Sequence, residues 1–381
     1  MNYVINNHNI FAIVLITFLA TLVLTPIMKK VAIHVNAMDY PDSKRKIHKV
    51  PMPRLGGVAI FLSFMLGYIL FAPENSIMIS ILMGSFLLIL AGAVDSITPL
   101  KARYQLIIHI ISAAIVVVYG KLVLNTISIF GLTINFVEPL NYLVTILFIV
   151  LFINVINLID GLDGLATGIS SIYFLTIAII AFMLNQLGGL DVILALIMLG
   201  STLGFLVYNF PPASCFLGNC GSDFLGFIIG VIGLLGFKGA TLTSIVIPIC
   251  ILAIPILDTV LAILRRLIRG EGIFTPDKEH FHHQLLKMKF SPKTSILIIY
   301  FITALFSAVS IFFALGDKKQ AMIIYVILML FLIFIVMKTD ILFKHKKTIL
   351  EEERILKEEV AREHIIMQKR KKERSKKRKN N

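Results

Sequence analysis

Apolar residues run in long blocks along most of this chain, and polar residues gather in the gaps between them. A helix that crosses a bilayer needs about 20 predominantly apolar residues. Eleven stretches fit, near residues 10–28, 56–72, 76–94, 105–119, 141–157, 167–185, 189–209, 223–237, 242–264, 295–315 and 320–338. The pattern predicts an all-α fold: a polytopic membrane protein with about eleven transmembrane helices. The first stretch is long, lacks a cleavage-site pattern and is followed by further spans, so it is expected to be retained as a helix.

The gaps alternate in charge. Lys29, Lys30, Lys44, Arg45, Lys46, Lys49 and Arg54 lie between the first and second stretches, and Lys101 and Arg103 between the third and fourth. Arg265, Arg266, Arg269, Lys278, Lys287, Lys289 and Lys293 lie between the ninth and tenth. The intervening gaps are poor in Lys and Arg. Cytoplasmic loops carry the excess of positive charge, so the N-terminus is expected outside and the C-terminus in the cytoplasm.

Composition agrees. Of 381 residues, 57% are hydrophobic and 15% charged, against about 45–50% and about 25% in soluble domains. An ordinary soluble globule is excluded, and so is dominant disorder. The net charge is +14. Residues from Lys344 onward hold 15 Lys/Arg against 7 Glu, a net of +8. The chain therefore divides into a membrane domain, 1–343, and a charged cytoplasmic tail, 344–381. The tail suits anionic lipid head groups or simply a solvated inner face. It lacks the aromatic interleaving of a nucleic-acid binder. Cys215, Cys220 and Cys250 form no disulfide framework and no zinc pattern.

Five polar clusters interrupt the apolar plan. The first runs from Asp39 through Lys46 and His48 to Pro51, Pro53, Arg54, Gly56 and Gly57. Its prolines and glycines fix a non-helical loop, and its cations suit phosphates or a plain inner loop. Asp95, followed by Ser96, ends the third stretch. The third cluster is Asn154-Val-Ile-Asn157-Leu-Ile-Asp160-Gly-Leu-Asp163-Gly. If its turn is helical, its two acids share a face. Two acids beside an apolar span lack a cheap structural explanation, and magnesium would supply one. Gly218-Asn219-Cys-Gly221-Ser-Asp223 opens the eighth stretch, suiting an anion at a helix N-terminus or close helix packing. The last holds Asp258, Arg265, Arg269, His280, His282 and His283, with zinc or phosphate recognition as readings.

In this order the motifs resemble the polyprenyl-phosphate N-acetylhexosamine-1-phosphate transferase family. The resemblance rests on Pro-x-Pro-Arg-x-Gly-Gly, Asp95, Asn157-x-x-Asp160-Gly-x-Asp163-Gly-Leu, Gly-x-x-Gly-Ser and Asp277-x-x-His280-x-His282-His283. The His-x-His-His form is similar to the branch that transfers GlcNAc-1-phosphate to undecaprenyl phosphate. The resemblance implies a multi-pass enzyme of the bacterial cytoplasmic membrane with its site on the cytoplasmic face. It would take a UDP-sugar and a polyprenyl phosphate, release UMP and use magnesium, with manganese as an alternative. Asp95, Asp160 and Asp163 take the catalytic roles. Asp160, Asp163, Asn219 and Asp223 are the metal candidates. Lys46, His48, Arg54, Asn157, Arg265, Arg269, His280, His282 and His283 are the substrate-binding candidates. A homodimer is left open.

The chain departs from the family where Ser96 and Asn219 stand in place of Asp, and where Gln284 follows the His pair in place of Arg. A second reading follows from the first two: a member with a decayed metal site serving as a non-catalytic binding or scaffold protein. A transporter would carry its polar residues near mid-membrane, whereas these sit mainly at helix ends.

Overall fold

The computed structural model describes residues 4–5, 8–41, 50–129, 132–184, 187, 189–236, 243–268, 270 and 280–338. Lys46, His48, Arg269 and the 344–381 tail lie outside them. The fold is all-α. In chain order the helices are α1 (Ile10–His34), α2 (Gly56–Phe71), α3 (Ser76–Ile97), α4 (Ala102–Ala114) and α5 (Leu140–Ile159). They continue with α6 (Leu165–Met183), α7 (Leu190–Asn209), α8 (Gly218–Leu235), α9 (Thr243–Ile251) and α10 (Ala253–Ile268). The short α11 (Phe281–Lys287) precedes α12 (Pro292–Leu315) and α13 (Lys318–Lys338). A π-helical turn, Ile115–Tyr119, extends α4.

Within the described residues ten of the eleven apolar stretches each coincide with one helix, and the 242–264 stretch with two. Among the described residues, nine helices are long and apolar enough to cross a membrane, and α2 is shorter at 16 residues. The protein is a multi-pass membrane protein. The 242–264 stretch, expected as one span, is divided into α9 and α10 around Leu252. Pro255 supplies the reason: it has no N–H for the carbonyl of Ile251, and its ring crowds that carbonyl. Small hairpins were not foreseen. One pairs Met38–Asp39 with Met52–Pro53, and another pairs Thr126–Ile129 with Leu132–Asn135.

Helix α8 is the central post. Of its apolar window 94% is buried, against 17% for α13 at the periphery. Lipid offers no hydrophobic drive between helices, so close approach of small residues has to supply contact. Gly57 of α2 rests directly on Gly221 of α8, where a Cβ on either would collide with the other backbone. The glycines opening α8 thus serve packing. Hydroxyls stitch the bundle further: Ser63 Oγ donates to the Thr17 carbonyl at 2.7 Å and lies 3.1 Å from Ser201 Oγ.

Because consecutive helices reverse direction, the loops bearing the polar clusters meet at one end. Gly57 N donates to the Leu217 carbonyl at 2.8 Å, Phe216 N to the Pro53 carbonyl at 2.8 Å, and Arg54 N to the Ala37 carbonyl at 3.1 Å. The loop before α2, the loop before α8 and the end of α1 form one platform.

Candidate active site

The Asp160–Gly164 turn sits at the centre of this end. Helix α5 stops at Ile159, Asp160 is its C-cap, and α6 begins at Leu165. The turn is not helical, so its two acids are not paired by helical spacing. Gly164 has φ 76°, the left-handed region that favours glycine. The loop after α7, the end of α7 itself and α12 pin the turn. Asp163 Oδ2 accepts from Ala213 N at 3.0 Å. Thr167 Oγ1 donates to Asn209 Oδ1 at 2.9 Å, and Asn209 Nδ2 donates to the Cys215 carbonyl at 3.0 Å. The Tyr300 hydroxyl, from α12, donates to the Gly164 carbonyl.

Asp160 is held differently. Among the described residues its carboxyl has no hydrogen-bond donor to offset its surroundings. Burial pushes its pKa up to about 7, and the neighbouring Asp163 and Asp223 raise it, while the Arg54 guanidinium pulls it down. Arg54 itself lies 3.5 Å from Asp39 across the small hairpin.

Asp95, at the end of α3, has both oxygens occupied. Oδ1 accepts from Leu100 N at 2.7 Å and from Gln105 Nε2 at 3.0 Å. Oδ2 accepts from Asn219 Nδ2 at 2.7 Å. The N–H₂ of Asn219 is thereby directed at Asp95, which leaves its Oδ1 outside this bond. Ser96 turns back on its own helix, donating to the Gly92 carbonyl at 2.8 Å.

Asp223, one turn into α8, is buried. Asn157 Nδ2 donates to its Oδ1 at 2.9 Å and also reaches Ser222 Oγ at 3.2 Å. His109 Nε2, from α4, lies 3.2 Å from its Oδ2.

The histidines come in beside the turn. Asp258 organises them: its Oδ2 lies 3.0 Å from His280 Nδ1, and its Oδ1 accepts from Phe281 N at 3.0 Å, seating the start of α11. His282 stacks parallel to His280, with centroids 5.7 Å apart, and lies 4.3 Å from His283. His282 packs against Gly161, where a Cβ would meet its Nε2. Both ring nitrogens of His282 are buried without a hydrogen bond. Burial, followed by His283 and His280, lowers its pKa well below the usual value, so the ring is neutral. A buried polar ring with no hydrogen-bond partner among the described residues, packed against the turn that carries two acids, is placed for a ligand, an ion or a water to satisfy. Arg265 is buried at the end of α10.

Sequence reading missed several of these residues. Gln105, His109, Asn209 and Tyr300 sit inside apolar stretches and belong to no compact motif. Their only signal is a polar side chain within a membrane span, which is functional by default.

The donor set suits a hard cation. Asp160, Asp163 and Asp223 repel one another, and a divalent cation would offset that. Among the described residues no three His, Cys, Asp or Glu side chains already close around one point. Magnesium does not require that, since it keeps several waters and takes one or two carboxylates plus substrate phosphates.

Fold and site together define an integral membrane protein with a carboxylate and histidine centre at one end of its bundle. The profile of glycosyl transferase family 4 matches residues 78–237. The chain is 40% identical over 296 residues to a probable undecaprenyl-phosphate N-acetylglucosaminyl 1-phosphate transferase of Bacillus subtilis, covering 77% of this chain and 82% of that one. It is 30% identical over 342 residues to a decaprenyl-phosphate N-acetylglucosaminephosphotransferase of Mycobacterium tuberculosis, covering 81% and 83%. An Escherichia coli undecaprenyl-phosphate alpha-N-acetylglucosaminyl 1-phosphate transferase is 29% identical over 303 residues, covering 77% and 81%. The chain belongs to glycosyl transferase family 4, with the polyprenyl-phosphate N-acetylglucosamine-1-phosphate transferases.

Proposed function

We propose that this protein transfers GlcNAc-1-phosphate from UDP-GlcNAc to a polyprenyl phosphate, with undecaprenyl phosphate as the acceptor, on the cytoplasmic face of a bacterial inner membrane. The observation that carries this is the meeting of the Asp160–Asp163 turn with His282 and Arg54 at one end of an apolar bundle. The relatives named above supply the acceptor. An acceptor with an apolar tail and a charged head needs a site where such a bundle ends.

In the reaction an oxygen of the acceptor phosphate attacks the sugar-bearing phosphorus of the donor. The bond from that phosphorus to the bridging oxygen breaks, and the bridging oxygen leaves on UMP. Asp160 and Asp163 would hold magnesium, with manganese as a substitute, and Asp223 lies close enough to add charge. When bound, the cation neutralises charge on the pyrophosphate and on the leaving UMP. Arg54, Arg265 and the His280–His283 group bind and orient the diphosphate, and Lys46, His48 and Arg269 join them by the resemblance. Asp95, fixed by three donors, holds the end of α3 against the site. Asn157 orients Asp223. Inside-positive loops support the orientation with the N-terminus outside. The basic composition of the 344–381 segment suits anionic head groups or a solvated inner face.

The decayed-site reading loses ground to the arrangement at Asn219. Its amide has an ordered partner in Asp95, and Asp160 keeps Asp163 and Asp223 as charged neighbours. The test uses UDP-GlcNAc labelled on the sugar-bearing phosphate, in membranes supplied with undecaprenyl phosphate and magnesium. The label is expected to move to the lipid as UMP forms. Label that stays in the aqueous phase overturns the proposal.

A further inference from the structure

Two polar side chains on α4 stand one turn apart on the same face, Gln105 and His109, and each meets a carboxylate of a different helix. Gln105 reaches Asp95 of α3, and His109 reaches Asp223 of α8. His109 is 4% exposed and lies within a helix apolar enough to cross the membrane. A buried imidazole there is costly unless it serves a partner. Its partner is Asp223 Oδ2, at 3.2 Å, while Asn157 holds Oδ1 at 2.9 Å. Among the described residues neither ring nitrogen of His109 makes an aligned hydrogen bond, so the ring stands as a close polar neighbour of the carboxylate.

From this geometry we infer that His109 is a positioning residue for Asp223, holding that carboxylate turned toward the Asp160–Asp163 turn. The inference rests on the proposed magnesium role of that turn. Asp223 lies one helical turn beyond Asn219, whose own N–H₂ is directed at Asp95. The negative charge that α8 offers the site is therefore Asp223, and its aim depends on what flanks it. Asn157 fixes one oxygen only. Without the His109 ring beside Oδ2, the carboxylate can rotate about its one donor, Asn157, and the charge near Asp160 spreads over a wider range of positions. Residues that orient a ligating carboxylate typically change metal affinity by about 10- to 100-fold when removed.

The test uses two neutral polar variants that differ in reach. The amide nitrogen of Gln can occupy the place of Nε2, whereas that of Asn stops near Nδ1. The full-length protein is purified in detergent, and its thermal stability is followed while magnesium chloride is titrated. His109→Asn is expected to raise the magnesium concentration at half-maximal stabilisation by about tenfold. His109→Gln should keep it close to the wild-type value. Ser112→Ala, one turn along α4 at a buried hydroxyl without a partner, should leave it unmoved. A purely structural role would instead lower the melting temperature without magnesium and leave the midpoint in place. Equal midpoints for His109→Asn and His109→Gln overturn the inference, and so does a wild type whose stability ignores magnesium. A wild type that responds to magnesium yet forms no UMP removes the proposed reaction and leaves the positioning role standing.

Discussion

Asp95 and Asp160 both end an apolar helix at the same end of the bundle, yet the protein treats them in opposite ways. Asp95 has both oxygens occupied by three donors from the loop after α3, α4 and α8. Asp160 has Arg54 nearby and two other acids against it. A carboxylate whose two oxygens already accept from protein donors has less to gain from an incoming cation. One left short of partners, among like charges, has free energy to gain from a ligand that brings positive charge. The contrast supports the proposed placement of cation and pyrophosphate on the Asp160–Asp163 side, with the Asp95 side as the wall.

The contrast can be broken in several places. Replacing Asp160 or Asp163 with Asn should lower UMP release about a thousandfold, the scale of losing a principal electrostatic contact to a developing charge. Asp95→Asn should act first on stability. It turns an amide N–H₂ toward groups that are themselves donors, and a buried polar mismatch costs about 1–3 kcal/mol. Chemical denaturation of the purified protein measures this, and unchanged stability would refute the wall role.

Stability against pH separates the two acids further. An unperturbed Asp ionises at 3.8, while Asp160 in the folded protein does so at about 7. Between those values the folded state keeps a proton that the unfolded state has lost, so this group's contribution to stability falls as pH rises through that window. Metal-free Asp160→Asn protein should therefore lose less stability between pH 4 and pH 7 than the wild type. Magnesium should stabilise the wild type more at pH 8 than at pH 5. Thermal melts across pH check both.

Asn219→Asp is subtler. It places a second carboxylate where an amide now meets Asp95 at 2.7 Å, which costs stability in the absence of metal. Magnesium should then be required at lower concentration for half-maximal rate. An equal or higher requirement would contradict the view that Asn219 weakens the metal site. The smallest effect is expected at Tyr300→Phe, which removes a donor from the Gly164 carbonyl and should lower the rate about tenfold or less, the equivalent of one hydrogen bond.

The helices were legible because bilayer crossing demands unbroken apolar length, and within the described residues every apolar stretch proved helical. The break at Leu252 was not, since an apolar run hides a helix interruption that only Pro255 betrays. Asp160, Asp163, His280 and His282 were legible as compact motifs beside apolar runs. Their arrangement was not: the non-helical turn depends on Gly164 within it and on Tyr300 and Asn209, which arrive from α12 and α7. His109 and Gln105 were harder to read as site residues because nothing near them in the chain is acidic: Asp95 arrives only when α3 packs against α4, and Asp223 only when α8 comes within reach of His109.

The central claim is that the Asp160–Asp163 turn performs the transfer. Its most direct test is UMP release from UDP-GlcNAc in vesicles carrying undecaprenyl phosphate and magnesium, with wild type and Asp160→Asn protein at equal abundance. Release by the wild type that falls to background in Asp160→Asn is the predicted result. Equal release by both proteins, or none by the wild type, would contradict it.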